Sequence, residues 1–138
     1  MTPRVLVDSN VILDVVKGDS QWADWSEAQL KRVAEDSTLV INPIIFSEVS
    51  VGFKTIEDVQ AVLSPDDFEY AALPWTAAFL AAKCFLQYRK RQGARRSPLP
   101  DFFIGAHAAV EKMALLTRDA KRYRTYFPTV PLICPGSP

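Results

Sequence analysis

The chain has 138 residues, of which 49% are hydrophobic and 23% are charged, and this composition excludes a disordered or collagen-like protein. Its formal net charge is zero, which by itself argues against a nucleic-acid binder, but the charges are unevenly placed. Residues 1–75 carry 13 acidic and 5 basic side chains, a net charge of −8, whereas residues 76–138 carry 3 acidic and 11 basic side chains, a net charge of +8. Unlike halves of this kind indicate an interaction surface, or the two sides of one cleft.

Short apolar runs that alternate with helical segments predict an α/β fold. Strands are predicted at residues 4–8, 39–41, 114–117 and 132–133, and residues 68–73 form either an edge strand or an irregular segment. Helices are predicted at residues 10–16, 21–36, 43–52, 55–63, 76–91 and 101–112. This order favours a three-layer α/β/α sandwich with a mostly parallel sheet, built as a single domain over residues 1–138.

Two segments between the predicted elements have clear boundary signals. Asn42 is a good helix cap, and Pro43 follows it at the first helical position. Residues 92–100 lie between the longest helix and the next one, and we expect them to form a loop.

The sequence predicts a soluble, cytoplasmic protein. No apolar run approaches the 18 or so residues of a membrane span. Asp8, Asn10 and Asp14 interrupt the N-terminal apolar stretch, which therefore lacks the core of a signal peptide. Cys84 and Cys134 fit neither a metal-ligand spacing nor a small disulfide framework, and we expect both to be reduced and packed.

Acidic residues lie where a ligand site is expected in such a sheet. Ligands of a parallel α/β sheet bind beyond the carboxyl ends of the strands. Asp8 follows the first strand, Asp101 opens a helix, and Asp119 follows the strand over residues 114–117. Each has a structural alternative, because Asp101 and Asp119 stand where aspartate commonly caps a helix, and Asp8 fits a strand-to-helix turn held by side-chain hydrogen bonds.

Glu48 is harder to explain by local structure alone. It lies within the helix predicted at residues 43–52, and the residues three and four positions before it are Ile45 and Ile44. Its carboxylate therefore lies on or beside the buried face, where glutamate is rarely found unpaired. A position at the rim of the apolar stripe is the alternative.

Four converging carboxylates would need a cation among them. Two unit charges about 4 Å apart repel by about 4 kcal/mol at an effective dielectric constant near 20. Oxygen ligands without paired Cys or His select a hard cation, Mg²⁺ or Mn²⁺ rather than zinc. His107 is the only histidine, so no Ser-His or Cys-His arrangement competes, and we assign it to packing or to the surface rather than to a ligand role.

These motifs together resemble a known family. The segments are Val-Leu-Val-Asp8-Ser-Asn10-Val-Ile-Leu, then Glu48 after a strand and a helix cap, then Leu99-Pro-Asp101-Phe-Phe-Ile-Gly-Ala-His-Ala, then Leu115-Leu-Thr117-Arg-Asp119. Their order resembles the PIN-domain nucleases, and in particular the VapC-type toxins of prokaryotic toxin–antitoxin pairs. The resemblance covers essentially the whole chain.

The resemblance implies a Mg²⁺- or Mn²⁺-dependent endoribonuclease, usually a homodimer, that is inhibited by a small antitoxin protein. In that family a metal held by acidic residues activates water for attack on an RNA phosphodiester. The resemblance places four residues in the catalytic and metal-binding quartet: Asp8, Glu48, Asp101 and Asp119. It places Asn10 and Thr117 in support of the quartet, whereas Asp14 matches no shared catalytic position and is interpreted as solvated or as a support.

Basic residues near the acids predict an RNA-binding surface, with a solvated helix end as the alternative. An acidic metal centre repels RNA, so neighbouring bases are needed to hold its phosphates. The tyrosines Tyr88, Tyr123 and Tyr126 are candidates for stacking on unpaired bases, although tyrosine in a core is commoner. The expected RNA-binding residues are Arg89, Lys90, Arg91, Arg95, Arg96, Arg118 and Arg122.

Other functions fit the sequence less well. A haloacid-dehalogenase-like phosphatase also begins with a strand that ends in aspartate, but it needs a second aspartate where this chain has Asn10. A receiver-type domain needs adjacent acids after its first strand and a lysine after its last, and neither is present. A PIN-like module that binds RNA or protein without catalysis is the third alternative, and the intact set of acids argues against it.

Overall fold

A computed structural model describes residues 2–92 and 99–136 and places five strands and seven helices within them. The strands are β1 (Arg4–Val7), β2 (Thr38–Ile41), β3 (Phe68–Tyr70), β4 (Ala114–Leu116) and β5 (Leu132–Ile133). The helices are α1 (Ser9–Lys17), α2 (Ala23–Ala34), α3 (Pro43–Ser50), α4 (Ile56–Val62), α5 (Trp75–Gln92), α6 (Leu99–Glu111) and α7 (Lys121–Tyr126). No helix within the two described ranges is long and apolar enough to cross a bilayer.

The strands form one parallel sheet in the order β3-β2-β1-β4-β5. The chain runs from the central strand β1 outward through β2 and β3, and then returns to the other side of β1 to add β4 and β5. This change of direction puts a topological switch point between β1 and β4, where ligands of open α/β sheets bind. The predicted α/β/α sandwich with a parallel sheet is confirmed, and residues 68–70 are an edge strand.

The centre of the sheet is fully buried. Leu6 and Val7 of β1 and Leu115 and Leu116 of β4 have no exposed surface, as expected for strands that are covered on both faces. Gly105 allows α6 to pack closely on the chain after α7, because a Cβ at this position would overlap the ring of Phe127. Tight packing of α6 fixes the position of the residues in its first turn.

The cap of α3 and the state of the cysteines agree with the predictions, whereas two of the helices differ from them. Asn42 caps α3, since its Oδ1 accepts a hydrogen bond from the backbone N–H of Ile45 at 2.9 Å. The cysteines are free and buried, as predicted. The helix α7 was not predicted, and α6 already includes Leu99, two residues before the expected start. Of the predicted loop over residues 92–100, residues 93–98 lie outside the described residues.

Candidate functional site

Asp8 lies at the switch point, directly after β1. Its backbone N–H donates to the carbonyl of Leu116 at 2.9 Å, which fixes it beside the end of β4. Although Asp8 occupies the N-cap position of α1, its side chain accepts no capping hydrogen bond. Its buried Oδ2 instead accepts hydrogen bonds from Oγ1 of Thr117 and from the hydroxyl of Tyr123, both at 2.9 Å. Helix capping therefore does not account for this carboxylate.

Asn10 and Thr117 join the turn after β1 to the turn after β4. The side-chain Nδ2 of Asn10 lies 3.4 Å from both Oδ2 of Asp8 and Oγ1 of Thr117. Its Oδ1 accepts the backbone N–H of Arg118 at 3.2 Å, and Oγ1 of Thr117 accepts the backbone N–H of Asp119 at 3.1 Å. The two residues predicted to support the acids thus contact Asp8 and also hold the chain around Asp119.

Glu48 is half-buried on α3 and faces the start of α1. Its Oε1 accepts a hydrogen bond from the hydroxyl of Ser9 at 2.8 Å. Sequence reasoning placed Glu48 on or beside the buried face but did not identify Ser9, because nothing in the local pattern links two residues that are 39 positions apart. Ser9 directs one oxygen of Glu48 and leaves the other without a protein partner among the described residues.

Neither Asp101 nor Asp119 occupies a helix N-cap position among the described residues. Asp101 lies within the first turn of α6, is half-buried, and accepts a hydrogen bond on Oδ2 from Nη1 of Arg122 at 2.6 Å. Asp119 is exposed in the turn before α7, whose N-cap position is occupied by Ala120 without a side-chain cap. Both carboxylates are therefore available for another role.

The carboxylates are close enough to affect one another's proton affinity. Burial raises the pKa of Asp8 from 3.8 to about 6, and the negative charge of Asp101 adds to the rise. Burial and the charge of Asp101 also raise the pKa of Glu48. The pKa of Asp101 is raised by burial and by Asp119, against the lowering effect of Arg122. The group thus holds more negative charge than Arg122 can balance.

The chemistry of these side chains fits a hard divalent cation. In the described residues, no three His, Cys, Asp or Glu side chains converge closely enough to ligate one ion as they stand. The donors are nevertheless carboxylate oxygens with surplus negative charge, and Mg²⁺ usually keeps several waters while binding through one or two carboxylates. The residues that fit it best are Asp8 and Asp101, because the charge of Asp101 disfavours ionisation of the buried Asp8 and a cation between them would offset this effect.

Tyr123 has a role that the sequence did not indicate. It was a candidate for stacking on RNA bases, with a place in the core as the commoner alternative, and it is almost wholly buried with its hydroxyl donating to Asp8. Burial and the charges of Asp8 and Asp101 raise the pKa of Tyr123 well above its ordinary value, so the hydroxyl keeps its proton. The spacing of Tyr123, Tyr126 and Phe127 is typical of the buried face of a helix, and this spacing is the sequence signal from which the burial of Tyr123 could have been predicted.

Arg118 pairs with the buried carboxylate of Asp14. Nε and Nη2 of Arg118 donate to the two carboxylate oxygens of Asp14 at 2.8 and 2.9 Å, and the hydroxyl of Ser26 donates to Asp14 at 2.8 Å. The guanidinium also lies over the ring of Trp22. We therefore reassign Arg118 from RNA binding to structure, and Asp14 is a buried support rather than a solvated residue.

His107 packs inside the protein and does not face the acids. It is fully buried, and its Nδ1 lies 2.9 Å from Nδ2 of Asn42. Because an amide nitrogen can only donate, Nδ1 accepts and the proton is on Nε2. Burial lowers the pKa of His107, so it stays neutral. The prediction that it packs is confirmed.

The other basic residues differ in their surroundings. Arg89, Lys90 and Arg91 are exposed at the end of α5, as expected for an RNA-binding surface. Arg122 is half-buried and paired with Asp101. The predicted RNA-binding residues Arg95 and Arg96 lie outside the described residues.

A comparison with protein families gives a match over most of the chain. The family model of the PIN domain matches residues 5–128 of the chain. The chain belongs to the PIN domain family. The match includes the acids from Asp8 to Asp119, and the resemblance found in the sequence is thereby confirmed at the level of the family. No curated protein matches the chain by sequence.

Solved structures with the same PIN fold come from toxin–antitoxin complexes. A chain of VapBC2 from Rickettsia felis, bound to a DNA fragment from the promoter, has a TM-score of 0.70 at 19% identity and covers 95% of this chain and 98% of its own. VapBC-1 from nontypeable Haemophilus influenzae gives 0.68 at 17% identity, with 95% and 97% covered. A toxin–antitoxin complex from Klebsiella pneumoniae gives 0.63 at 24% identity, with 91% and 94% covered. At sequence identities this low, the structural likeness establishes the fold alone.

Proposed function

We propose that this PIN domain is a metal-dependent endoribonuclease and the toxin of a toxin–antitoxin pair. The observation that carries the proposal is the grouping of Asp8, Glu48 and Asp101 beside the switch point, where, in addition to burial, the charges of Asp101 and Glu48 raise the pKa of Asp8 and the charge of Asp101 raises the pKa of Glu48. Buried carboxylates that repel one another destabilise a fold, so their retention in one place argues for a cation. The PIN family membership supports phosphodiester cleavage as the reaction.

The proposed roles follow from the contacts. Asp8 and Asp101 would hold Mg²⁺ or Mn²⁺, with Glu48 and Asp119 acting directly or through water. When bound, such an ion polarises a phosphoryl oxygen and lowers the pKa of a bound water. The protein itself orients the acids: Thr117, Tyr123 and Asn10 direct Asp8, and Ser9 directs Glu48. No side chain needs to act as a covalent nucleophile.

RNA is proposed as the substrate because cations flank the acids. Arg89, Lys90 and Arg91 are exposed on the last turn of α5, and Arg122 touches Asp101. These residues supply the positive charge that a polyanion needs beside a negative centre. Arg95 and Arg96 remain predictions from the sequence.

A cognate antitoxin and a second copy of the chain are the proposed protein partners. The neighbouring structures are toxin–antitoxin complexes. On this chain, Trp75 (91% exposed), Phe79 and Leu86 share one face of α5, and such an apolar stripe is typical of a protein interface. The single-domain organisation over residues 1–138 and the cytoplasmic location stay predictions from the sequence.

The test is cleavage of RNA by the purified chain with Mn²⁺ and with EDTA. We expect cleavage in Mn²⁺ that EDTA removes and that both Asp8→Asn and Asp101→Asn abolish. Asp24→Asn, which changes an exposed carboxylate on α2, is the matched control and should cut as the wild type does. Undiminished cleavage in both site variants would exclude the assignment. Binding of RNA without any cleavage would favour the non-catalytic alternative.

A further inference from the structure

A pocket of about 370 Å³ lies beside the carboxylates, between the ends of α5 and α7. Three cations line it, namely Arg91, Lys121 and Arg122, together with the two rings of Tyr88 and Tyr126. Asp119 and Thr125 complete the lining. The volume is within the range of sites that bind small polar groups and single nucleotides.

The pocket carries surplus positive charge. Arg91 and Lys121 are exposed, and neither forms an ion pair with any residue that the structure describes. Asp119 is the one carboxylate in the lining, against three cations. Arg122 gives one N–H to Asp101 and has further donors in its plane. A ligand that satisfies these groups must be anionic and must accept several hydrogen bonds, as a phosphodiester does.

The tyrosines hold the arginines rather than presenting free faces. The guanidinium of Arg91 lies 5.7 Å from the ring centre of Tyr126, and that of Arg122 lies 5.6 Å from the ring centre of Tyr88. The two rings meet edge to face at 6.1 Å. Stacking of this kind orders a guanidinium before a ligand arrives, and less entropy is then lost on binding. This arrangement favours a phosphate site built on the arginines over base stacking, for which Tyr88 and Tyr126 were candidates.

The pocket is continuous with the acidic group. Asp119 lines the pocket and interacts electrostatically with Asp101, and Arg122 joins the two regions through its 2.6 Å contact with Asp101. A polyanion bound at the carboxylates would therefore have the pocket next to it. This relation favours a continuous polyanion over an isolated small anion.

We propose that this pocket binds the phosphodiester adjacent to the one that is cleaved in a single strand of RNA. The inference rests on the proposed function for the identity of the strand, but it adds a specific set of residues. Arg91, Lys121 and Arg122 hold the adjacent phosphate, whereas Lys83, an exposed cation about two turns earlier on α5, does not line the pocket. A dependence of binding on Arg91 and Lys121 but not on Lys83 separates a built site from a diffuse basic surface.

Arg91→Ala and Lys83→Ala form a matched pair for the test. Both side chains are exposed on α5, and both lie over an aromatic ring, that of Tyr126 for Arg91 and that of Phe79 for Lys83. The variants, together with Lys121→Ala, are made in the Asp8→Asn chain so that the RNA stays intact. Binding of a short fluorescein-labelled single-stranded RNA is measured by anisotropy over a range of KCl concentrations.

We expect Arg91→Ala and Lys121→Ala each to weaken binding about five- to tenfold and to reduce the slope of log K against log[KCl] by about 0.7 to 1. Lys83→Ala should weaken binding less than about twofold, as expected for an exposed charge outside the pocket. Equal losses for Lys83→Ala and Arg91→Ala, or no loss for Arg91→Ala and Lys121→Ala, would overturn the pocket assignment.

Cleavage by the wild type with Mn²⁺ is scored separately, so the two proposals can fail independently. If the wild type cuts RNA but Arg91→Ala and Lys121→Ala do not lose RNA binding selectively, only the pocket assignment fails. If the selective losses are found but the wild type does not cut, the proposed cleavage fails and the pocket remains a phosphodiester-binding site.

Discussion

Arg118 and Arg122 lie on either side of the start of α7, and each pairs with an aspartate, but the two pairs differ. Asp14 is 3% exposed, and Arg118 binds both of its oxygens while Ser26 adds a third hydrogen bond. In the other pair, both Asp101 and Arg122 are 31% exposed, and one contact at 2.6 Å joins them. Both oxygens of Asp14 thus have hydrogen-bond donors, whereas Asp101 can still accept further hydrogen bonds or a cation.

This difference separates a structural aspartate from a candidate ligand. Asp14 joins α1 to α2 and to the turn after β4, so a cation could take it only at the cost of those bonds. Asp101 lies beside Asp8, and a cation there would relieve repulsion that Arg122 offsets incompletely. Neutralising Asp101 should therefore impair cleavage but not stability, whereas neutralising Asp14 should impair stability but not cleavage.

The largest expected effect is on catalysis at the second pair. Asp101→Asn should reduce RNA cleavage in Mn²⁺ by at least about 100-fold, as found when a group that stabilises developing charge is removed. Its thermal midpoint in EDTA should not fall, because the variant removes a repelled charge. A normal cleavage rate, or a large loss of stability, would mean that Asp101 is structural like Asp14.

Asp8 gives the largest expected effect on stability, and it depends on pH. Burial is the main reason why the pKa of Asp8 is raised from 3.8 to about 6 in the folded chain. As the pH rises, the unfolded chain therefore loses this proton before the folded chain does. The free energy of unfolding then falls between about pH 4 and pH 6. A rise of this size corresponds to about 3 kcal/mol above pH 6. In EDTA, urea unfolding should find Asp8→Asn more stable than the wild type by up to this amount at pH 7 and nearly equal near pH 4. An advantage that does not change with pH would show that burial of the ionised carboxylate is not its cause.

Neutralising Asp14 should have the opposite effect on stability. Asp14→Asn leaves Arg118 without its bidentate partner, and because Arg118 is about one-third exposed and keeps some hydration, the expected loss is about 2 kcal/mol in the free energy of unfolding. The folded variant should retain cleavage within about tenfold of the wild type. Urea unfolding and RNA cleavage are compared on the same preparation, with Asp24→Asn as the surface control.

The sequence was sufficient to predict the sheet and the placement of the acids. Asp8 directly follows a buried strand, and the carboxyl ends of parallel strands meet at one edge, so proximity followed from the fold class. The order of the four acids then indicated the family. The half-buried position of Glu48 followed from its two isoleucine neighbours on the helix.

The sequence was not sufficient to predict which polar groups hold the acids. Arg118 and Asp14 are 104 positions apart, and Tyr123 and Asp8 are 115 apart, so no local spacing links them. Arg118 and Arg122 lie on either side of Asp119 in the sequence and both are basic, yet Arg118 is bound by both oxygens of Asp14 and Arg122 lines the pocket. Only the packing of α7 against the switch point separates them, and α7 itself is six residues long with a weak pattern.

The smallest expected effect tests whether Tyr123 acts through Asp8. Tyr123→Phe keeps the buried ring and removes the hydroxyl, so ionised Asp8 loses one of its two hydrogen bonds at 2.9 Å and the chain should lose about 1.5 kcal/mol of stability at pH 7. In the Asp8→Asn chain the same change should cost clearly less, because a neutral acceptor gains less from the bond. A double-mutant cycle in urea measures this difference. Equal losses of stability in both chains would assign the hydroxyl to the packing of α7 and not to a bond with ionised Asp8.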